Sequence, residues 1–104
     1  MQINIKSSEL DLTDPLRKYI EMRMESLSKY LKRFDADLVR ADVEVARTTQ
    51  HHRHGDVYYA EVNLILPGKL IRATHEGADV RGCIDKVKDV LKGEIDKYKD
   101  QLEK

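Results

Sequence analysis

Three histidines close together in a polar segment are the side chains of this 104-residue sequence that most directly suggest chemistry. His51, His52 and His54 flank Arg53. Imidazole nitrogens bind zinc, and a turn would bring His51 and His54 together. No cysteine accompanies them and Asp56 is the only nearby carboxylate, so we expect no metal site, and a zinc-binding regulator is kept only as a minor alternative. Two other interpretations stay open, namely an exposed loop that contacts an anionic partner and plain exposure to solvent.

The other reactive side chains do not form a catalytic set. Cys83 is the only cysteine, which excludes an internal disulfide and a CxxC metal site. The carboxylates Glu9, Asp11 and Asp14 are better explained by the start of a helix than by acid–base catalysis. The sequence has no Ser/His/Asp order, no phosphate-binding glycine loop and no HExxH. We therefore expect a binding protein and not an enzyme, with no cofactor and no small-molecule substrate.

Basic side chains form the best candidate binding surface. Projected at about 100° per residue, four cations of the last helix share one flank of its apolar stripe. They are Arg81, Lys88, Lys92 and Lys99, which we call the basic ridge. The ridge would run roughly 27 Å, long enough to follow several phosphates. The same projection places Asp85, Asp89, Asp96 and Asp100 on the far, solvent side, and Lys97 on the other flank.

The first helix offers a second set of cations. Lys18, Lys29 and Arg33 share a flank, and Arg17 and Arg23 lie elsewhere on the helix. Two helices packed side by side would merge such flanks into one positive surface. The alternative is that the lysine stems merely pack along apolar stripes and pair with neighbouring aspartates. The charge pattern alone favours this second interpretation.

Four segments alternate polar and apolar residues, as strands with one wet face do. They cover residues 2–6, 39–45, 58–66 and 69–75. Pro67-Gly68 predicts a tight turn, so the last two strands form an antiparallel hairpin. Tyr59 is expected on the open sheet face, where it either stacks on a base or serves only as a good strand residue.

Two amphipathic helices must position these groups. The first begins at Thr13-Asp14-Pro15, and its apolar stripe predicts one long helix reaching Phe34. The second begins after Asp79 and contains Gly93, which costs about 1 kcal/mol relative to alanine. The order β-α-β-β-β-α predicts an α+β fold. Two helices pack on one face of a four-stranded sheet, resembling a double-stranded-RNA-binding domain, in a single domain over residues 1–104.

Composition limits the partners. Lys and Arg number 19, as do Asp and Glu, so the net charge is zero and a simple polybasic nucleic-acid binder is disfavoured. Charges sorted onto different faces remain compatible with such binding. The first residues do not predict a signal peptide, and no apolar run is long enough to cross a membrane. A cytoplasmic protein with no membrane partner is expected.

Three stretches resemble the ribosome hibernation-promoting factors, also called ribosome-associated inhibitors or sigma-54 modulation proteins. They are MQINIKSSELDLTDPLRKYI at the start, HHRHGDVYYAEVNLILPGKLIRA in the middle and EGADVRGCIDKVKDVLKGEIDKYKDQL at the end. The resemblance covers nearly the whole chain in order. It implies the same β-α-β-β-β-α fold and the short type of factor, without a C-terminal dimerisation domain.

The resemblance also implies a function. Members lie in the small ribosomal subunit, where messenger and transfer RNAs would bind, and they inhibit translation and stabilise idle ribosomes. The partners it implies are the small subunit and the 70S ribosome, through 16S rRNA, with a monomer off the ribosome. Basic residues of both helices would hold RNA phosphates.

Individual positions follow and depart from the family pattern. Arg17, Arg23, Lys97 and Lys99 match basic positions. The family usually has an aromatic residue where this chain has Arg81, and cations where it has Val90 and Gly93, while Glu94 adds a negative charge. The residues expected to bind RNA are Arg17, Lys18, Arg23, Lys29, Arg33, Arg53, Arg81, Lys88, Lys92, Lys97 and Lys99. The departures favour one alternative, a protein-interaction module of the same fold with weakened RNA binding.

Overall fold

A computed structural model describes residues 1–48 and 57–103, and its elements follow the predicted order. Four strands form one sheet in the order β1-β2-β3-β4. They are β1 (Gln2–Ser8), β2 (Arg40–Arg47), β3 (Tyr58–Leu66) and β4 (Lys69–Gly77). β1 runs parallel to β2, and the other neighbouring pairs are antiparallel. The α+β class and the β3–β4 hairpin are therefore confirmed.

The first helix is shorter than its apolar stripe predicts. α1 covers Asp14–Glu25, with the Thr13 hydroxyl accepting a hydrogen bond from the Leu16 backbone at 3.3 Å. The Ser26 hydroxyl donates to the Arg23 carbonyl at 2.6 Å, and the chain continues as a 3-10 helix over Ser26–Tyr30. The predicted single helix to Phe34 is wrong, because a serine that bonds the preceding carbonyls favours a tighter turn there.

The stripe nevertheless predicts the buried residues of this region. Leu27 in the 3-10 helix is fully buried, and Leu31 just after it is 4% exposed. Both belong to the same core cluster as Leu16 and Ile20 of α1. A change of helix type thus preserves the apolar face while it redirects the chain toward β2. A second 3-10 helix, Ala36–Leu38, precedes that strand.

The core lies between one sheet face and the two helices. α2 covers Val80–Leu102 and begins at Asp79, whose side chain accepts from the Gly82 backbone at 3.2 Å. Several large side chains on both sides of the interface are fully buried. These include Ile20, Met24, Val62, Leu64, Ile84, Leu91 and Ile95. Burying one such side chain stabilises the fold by about 1.5–3 kcal/mol, which fixes both helices on the sheet.

Aromatic contacts fix the hairpin turn against the end of α2. The Tyr98 hydroxyl donates to the Pro67 carbonyl at 3.1 Å, and Phe34 stacks on the Tyr98 ring at 6.1 Å. Gly68 has a φ of +78°, a conformation that favours glycine. The turn and the C-terminal part of α2 are therefore held as one unit.

Candidate nucleic-acid interface

A network of three side chains joins the two helices. The Tyr19 hydroxyl on α1 donates to Asp85 Oδ1 on α2 at 2.7 Å. Arg23 Nε donates to the same oxygen at 2.8 Å and to the Tyr19 hydroxyl at 3.2 Å. Asp85 therefore does not lie on the far, solvent side of α2, and that prediction is wrong. The helical projection could not include α1, which packs along this flank.

Electrostatics keep the network charged. Burial alone would raise the pKa of Asp85, but hydrogen bonds from Tyr19 and Arg23 and the charges of Arg23 and Lys88 hold it below its ordinary value. The hydrogen bond to Asp85, followed by that to Tyr19, raises the pKa of Arg23. The carboxylate and the guanidinium thus stay ionised and paired at neutral pH.

The rings of Tyr19 and Tyr30 each lie near two cations. One cation comes from α1 or the 3-10 helix, and the other comes from α2. The guanidinium carbons of Arg23 and Arg81 each lie 5.4 Å from the Tyr19 ring centroid. Lys29 and Lys92 lie 5.3 and 5.1 Å from the Tyr30 ring centroid. These separations are those of cation–π contacts.

We call this surface the tyrosine cleft. It consists of Tyr19, Tyr30, Arg23, Lys29, Arg81, Lys88, Lys92 and Lys99. Lys99 Nζ donates to the Tyr30 carbonyl at 3.1 Å, and Lys88 is close enough to Asp85 to lower the pKa of that carboxyl. The basic ridge predicted from the helical projection therefore lines one side of a helix–helix junction.

Acidic residues border the cleft on its outer side. Lys88 pairs with Asp89 at 3.9 Å, and Lys92 with Asp96 at 3.6 Å. Arg33 lies 3.8 Å from Glu103. Partly exposed pairs of this kind contribute roughly 0–1 kcal/mol to stability. Two of the cleft lysines thus have acidic neighbours on α2, and Arg23 pairs with Asp85 between the helices.

Some predicted contact residues lie apart from the cleft. Arg17 and Lys18 are exposed on α1 and make no ion pair with any described residue. Lys97 is on the other flank of α2, where Nζ donates to Glu94 at 3.4 Å. Arg53 lies outside the described residues, as do His51, His52 and His54.

Tyr19 and Tyr30 are the cleft residues that were not among those expected to bind RNA. The four-residue spacing of Tyr19 and Arg23 was the available local signal, since residues four apart face each other on a helix. Their partners Asp85 and Lys92 are more than 60 positions away in the chain, so no local pattern reveals them.

The open sheet face, which looks away from the helices, carries a network of another kind. Tyr59 lies there as predicted, and its hydroxyl donates to Glu61 at 2.6 Å. Arg72 and Asn63 donate to the same carboxylate at 2.9 and 3.1 Å. The hydrogen bonds from Tyr59 and Arg72 lower the pKa of Glu61, and burial followed by the bond to Glu61 raises the pKa of Tyr59.

Further acidic groups share this face. Asp42 accepts from Asn4 at 3.0 Å and from Arg40 at 3.2 Å. Among residues 1–48 and 57–103, no group of three or more His, Cys, Asp and Glu side chains is arranged to hold a metal ion. In the same residues, no helix has the length and apolar character needed to cross a membrane.

Residues 3–103 match the protein family described as Sigma 54 modulation protein / S30EA ribosomal protein. The chain belongs to this family. The S30EA family is non-enzymatic, so the prediction of a binding protein and not an enzyme is confirmed. The resemblance found in the three stretches of sequence is confirmed as well.

Named relatives cover nearly the whole chain. A Ribosome hibernation promotion factor from Deinococcus radiodurans is 31% identical over 100 residues, which are 95% of this chain and 50% of that protein. The chain thus spans half of that relative's length. A Ribosome hibernation promoting factor from Escherichia coli is 28% identical over 102 residues, covering 98% of this chain and 97% of the relative.

Solved structures have the same fold. The Thermus thermophilus Protein Y N-terminal domain superposes with a TM-score of 0.76 at 26% identity, covering 94% of this chain and 99% of that domain. A ribosomal subunit interface protein from Coxiella burnetii has a TM-score of 0.69 at 22% identity and supports the fold alone. The predicted four-stranded sheet with two helices on one face is confirmed.

Proposed function

We propose that this chain is a ribosome-binding hibernation factor that inhibits translation. It occupies the messenger and transfer RNA channel of the small subunit and stabilises idle ribosomes. The observation that carries the proposal is the end-to-end likeness to the E. coli Ribosome hibernation promoting factor, over 98% of this chain and 97% of that protein. Inhibition by occlusion needs no bond chemistry and no cofactor. The protein acts in the cytoplasm as a monomer when off the ribosome.

The tyrosine cleft is the proposed contact surface for 16S rRNA. It gathers six cations from both helices and from the 3-10 helix between them. Phosphates are the RNA groups that a row of lysines and arginines neutralises, and contacts of this type follow shape more than sequence. Arg17, Lys18, Arg33, Lys97 and Arg53 are proposed as contacts outside the cleft.

The proposal is tested by sedimentation of the purified protein with bacterial 30S subunits and 70S ribosomes at increasing salt. We expect the protein to pellet with both. If six phosphates are neutralised, the logarithm of the affinity falls with the logarithm of salt at a slope of about −4 to −5. Absence from both pellets at every salt concentration, with a folded sample, would contradict the proposal.

Channel occupancy has a separate test. 30S subunits are first loaded with a short messenger and initiator transfer RNA, and binding of the protein is then measured. Occlusion predicts that the loaded subunits bind much less protein than empty ones. Equal binding to loaded and empty subunits would place the protein elsewhere on the ribosome.

A protein-interaction module is the second candidate. The acidic rim of the cleft favours it, because Asp89 and Asp96 pair with two of the ridge lysines. Val90 beside them is 48% exposed and offers an apolar contact. This candidate predicts a folded protein that binds neither 30S nor 70S, and that result would give it first place.

A further inference from the structure

Tyr19 and Tyr30 hold similar positions in the tyrosine cleft. Each ring has one cation on the α1 side and one from α2, at 5.1 to 5.4 Å from its centroid. Arg81 and Lys92, the two α2 members, are eleven positions apart, or about 16 Å along the helix. The cleft therefore contains two cation clusters, one around each ring, at different positions along α2. We call them the Tyr19 station and the Tyr30 station.

The Tyr19 station holds two guanidinium groups of the same charge near one ring. Asp85 anchors Arg23 through Nε, which leaves the terminal nitrogens of Arg23 without a hydrogen bond to any described residue. Arg81 makes no ion pair within residues 1–48 and 57–103, and its one ring contact there is with Tyr19. Terminal guanidinium nitrogens are the donors that form paired hydrogen bonds with phosphate oxygens.

The Tyr30 station differs in its polar contacts. The Tyr30 hydroxyl makes no hydrogen bond with the described residues, so its ring alone contacts Lys29 and Lys92. The backbone carbonyl of the same residue accepts from Lys99 at 3.1 Å. One residue thus contacts three lysines, two through its ring and one through its main chain.

We propose that Tyr19 and Tyr30 are positioning residues for RNA binding, which hold cation pairs from both sides of the cleft in place for phosphates. This inference rests on the proposed function and deepens it. Long basic side chains lose rotamer freedom when they bind, and a cation already held at a ring loses less. Like charges gathered around one ring also repel each other, and a bound phosphate relieves that repulsion.

The Asp85 carboxylate completes the Tyr19 station. Without it, the two guanidinium groups near the Tyr19 ring would have no ion pair with any described residue. The Asp85 carboxylate lies 2.8 Å from Arg23 Nε and compensates part of the positive charge of the two arginines. The terminal nitrogens of Arg23 remain available to a phosphate. Asp85 is thus a positioning residue of Arg23, and Tyr19 positions both Arg23 and Asp85 through its hydroxyl.

The test compares ring removal with hydroxyl removal at both tyrosines in the full chain. Tyr30→Phe keeps the ring and its contacts with Lys29 and Lys92, so it should bind 30S subunits more tightly than Tyr30→Leu. Tyr19→Phe loses the hydroxyl bonds and should bind within about threefold of the parent. Tyr19→Leu and Tyr30→Leu lose the cation–π contacts and should each weaken binding by about fivefold. Thermal unfolding is measured for each variant so that affinities are compared at temperatures where all are folded.

A double-mutant cycle separates positioning from a general effect on the fold. Arg23→Gln/Arg81→Gln removes the two cations that Tyr19 holds. If Tyr19 acts through them, Tyr19→Leu in this background changes 30S affinity by less than about 1.5-fold. A full fivefold loss in that background would overturn the proposal, as would equal affinity of the parent and both leucine variants.

A second RNA keeps this inference separate from the proposed function. If the parent fails to bind 30S subunits, the hibernation proposal fails, and the same variants are compared on a short RNA duplex at low salt. Weaker duplex binding by each leucine variant than by the phenylalanine variant of the same tyrosine would still support positioning. Equal duplex affinity of parent and leucine variants would overturn it.

Discussion

The tyrosine cleft and the open sheet face contain the same trio of side chains in different surroundings. In the cleft, Tyr19 and Arg23 both donate to Asp85, at 2.7 and 2.8 Å. On the sheet, Tyr59 and Arg72 both donate to Glu61, at 2.6 and 2.9 Å. In each trio the tyrosine hydroxyl and the arginine converge on one carboxylate. The local chemistry of the two sites is nearly identical.

The difference lies in what each trio connects and in what surrounds it. The sheet trio links residues on adjacent strands, where asparagines and acidic groups complete a balanced network. The cleft trio links two helices and is surrounded by further cations. A Tyr–acid–Arg trio is therefore neutral in itself, and its neighbours decide whether the surface attracts an anion.

The largest expected effect tests whether the cleft and not the sheet binds RNA. Neutralising three cleft cations, in Arg81→Gln/Lys88→Gln/Lys92→Gln, should weaken 30S binding by about 100-fold and reduce the magnitude of the salt slope by about 2–3. The control neutralises three cations of the sheet face, in Lys6→Gln/Arg40→Gln/Arg72→Gln. It should leave affinity within about threefold. Sedimentation with 30S subunits at several salt concentrations measures both.

The opposite ranking of these two triple variants would move the RNA contact to the sheet face. It would also revive the hypothesis that Tyr59 stacks on a base. Comparable losses in both variants would mean that total charge, and not its arrangement, determines binding. Either result would contradict the expectation that RNA binds the cleft and not the sheet face.

A medium effect concerns two glycines, one on the solvent side of α2 and one at the end of the sheet. Gly93 is helical, and an added Cβ would meet no atom within 4 Å, so Gly93→Ala should stabilise the fold by about 1 kcal/mol. Gly68 has a φ of +78°, so Gly68→Ala should destabilise it by about 1–2 kcal/mol. Urea unfolding measures both, and equal signs would contradict the backbone argument.

The smallest effect is the response of the two trios to acid. The folded-state pKa values of Asp85 and Glu61 are both lowered, so each carboxylate contributes stability above its unfolded pKa that is lost as the pH falls through the folded pKa. Asp85→Asn and Glu61→Gln should therefore lose less stability than the parent between pH 7 and pH 3. The difference is expected to be under about 1 kcal/mol for each, because both pairs are partly exposed.

Urea unfolding at the two pH values measures this difference. Glu76→Gln is the control, since Glu76 is an exposed carboxylate of β4 with no ion pair to a described residue. It should follow the parent. A variant of either trio that loses as much stability as the parent would show that its carboxylate does not contribute to acid sensitivity.

Local patterns predicted the elements and their buried faces well. Alternation predicted the strands, and the three- and four-residue spacing predicted one apolar face on each helix, which in α2 includes the buried Leu91 and Ile95. The error in the first helix came from Ser26, whose hydroxyl bond to Arg23 shortens α1 without disturbing the apolar spacing. A periodic apolar stripe predicts which residues are buried more reliably than it predicts the type of helix.

The site could be predicted only on one helix at a time. The projection of α2 brought Arg81 and Lys92 onto one flank, and both lie in the cleft. It misplaced Asp85 because the position of α1 follows from tertiary packing. The contacts of Tyr19 and Tyr30 with α2 could not be predicted for the same reason, since a ring at a helix–helix junction has partners that are distant in sequence.

The acidic rim of the cleft has a kinetic consequence. Beyond about 8 Å at physiological salt, alternating charges are screened and largely cancel, so a chain with zero net charge is steered only weakly toward RNA. Its association rate should lie in the ordinary range of about 10⁵–10⁷ M⁻¹s⁻¹, below that of steered complexes. Selectivity then depends on lifetime after contact, and not on attraction from a distance.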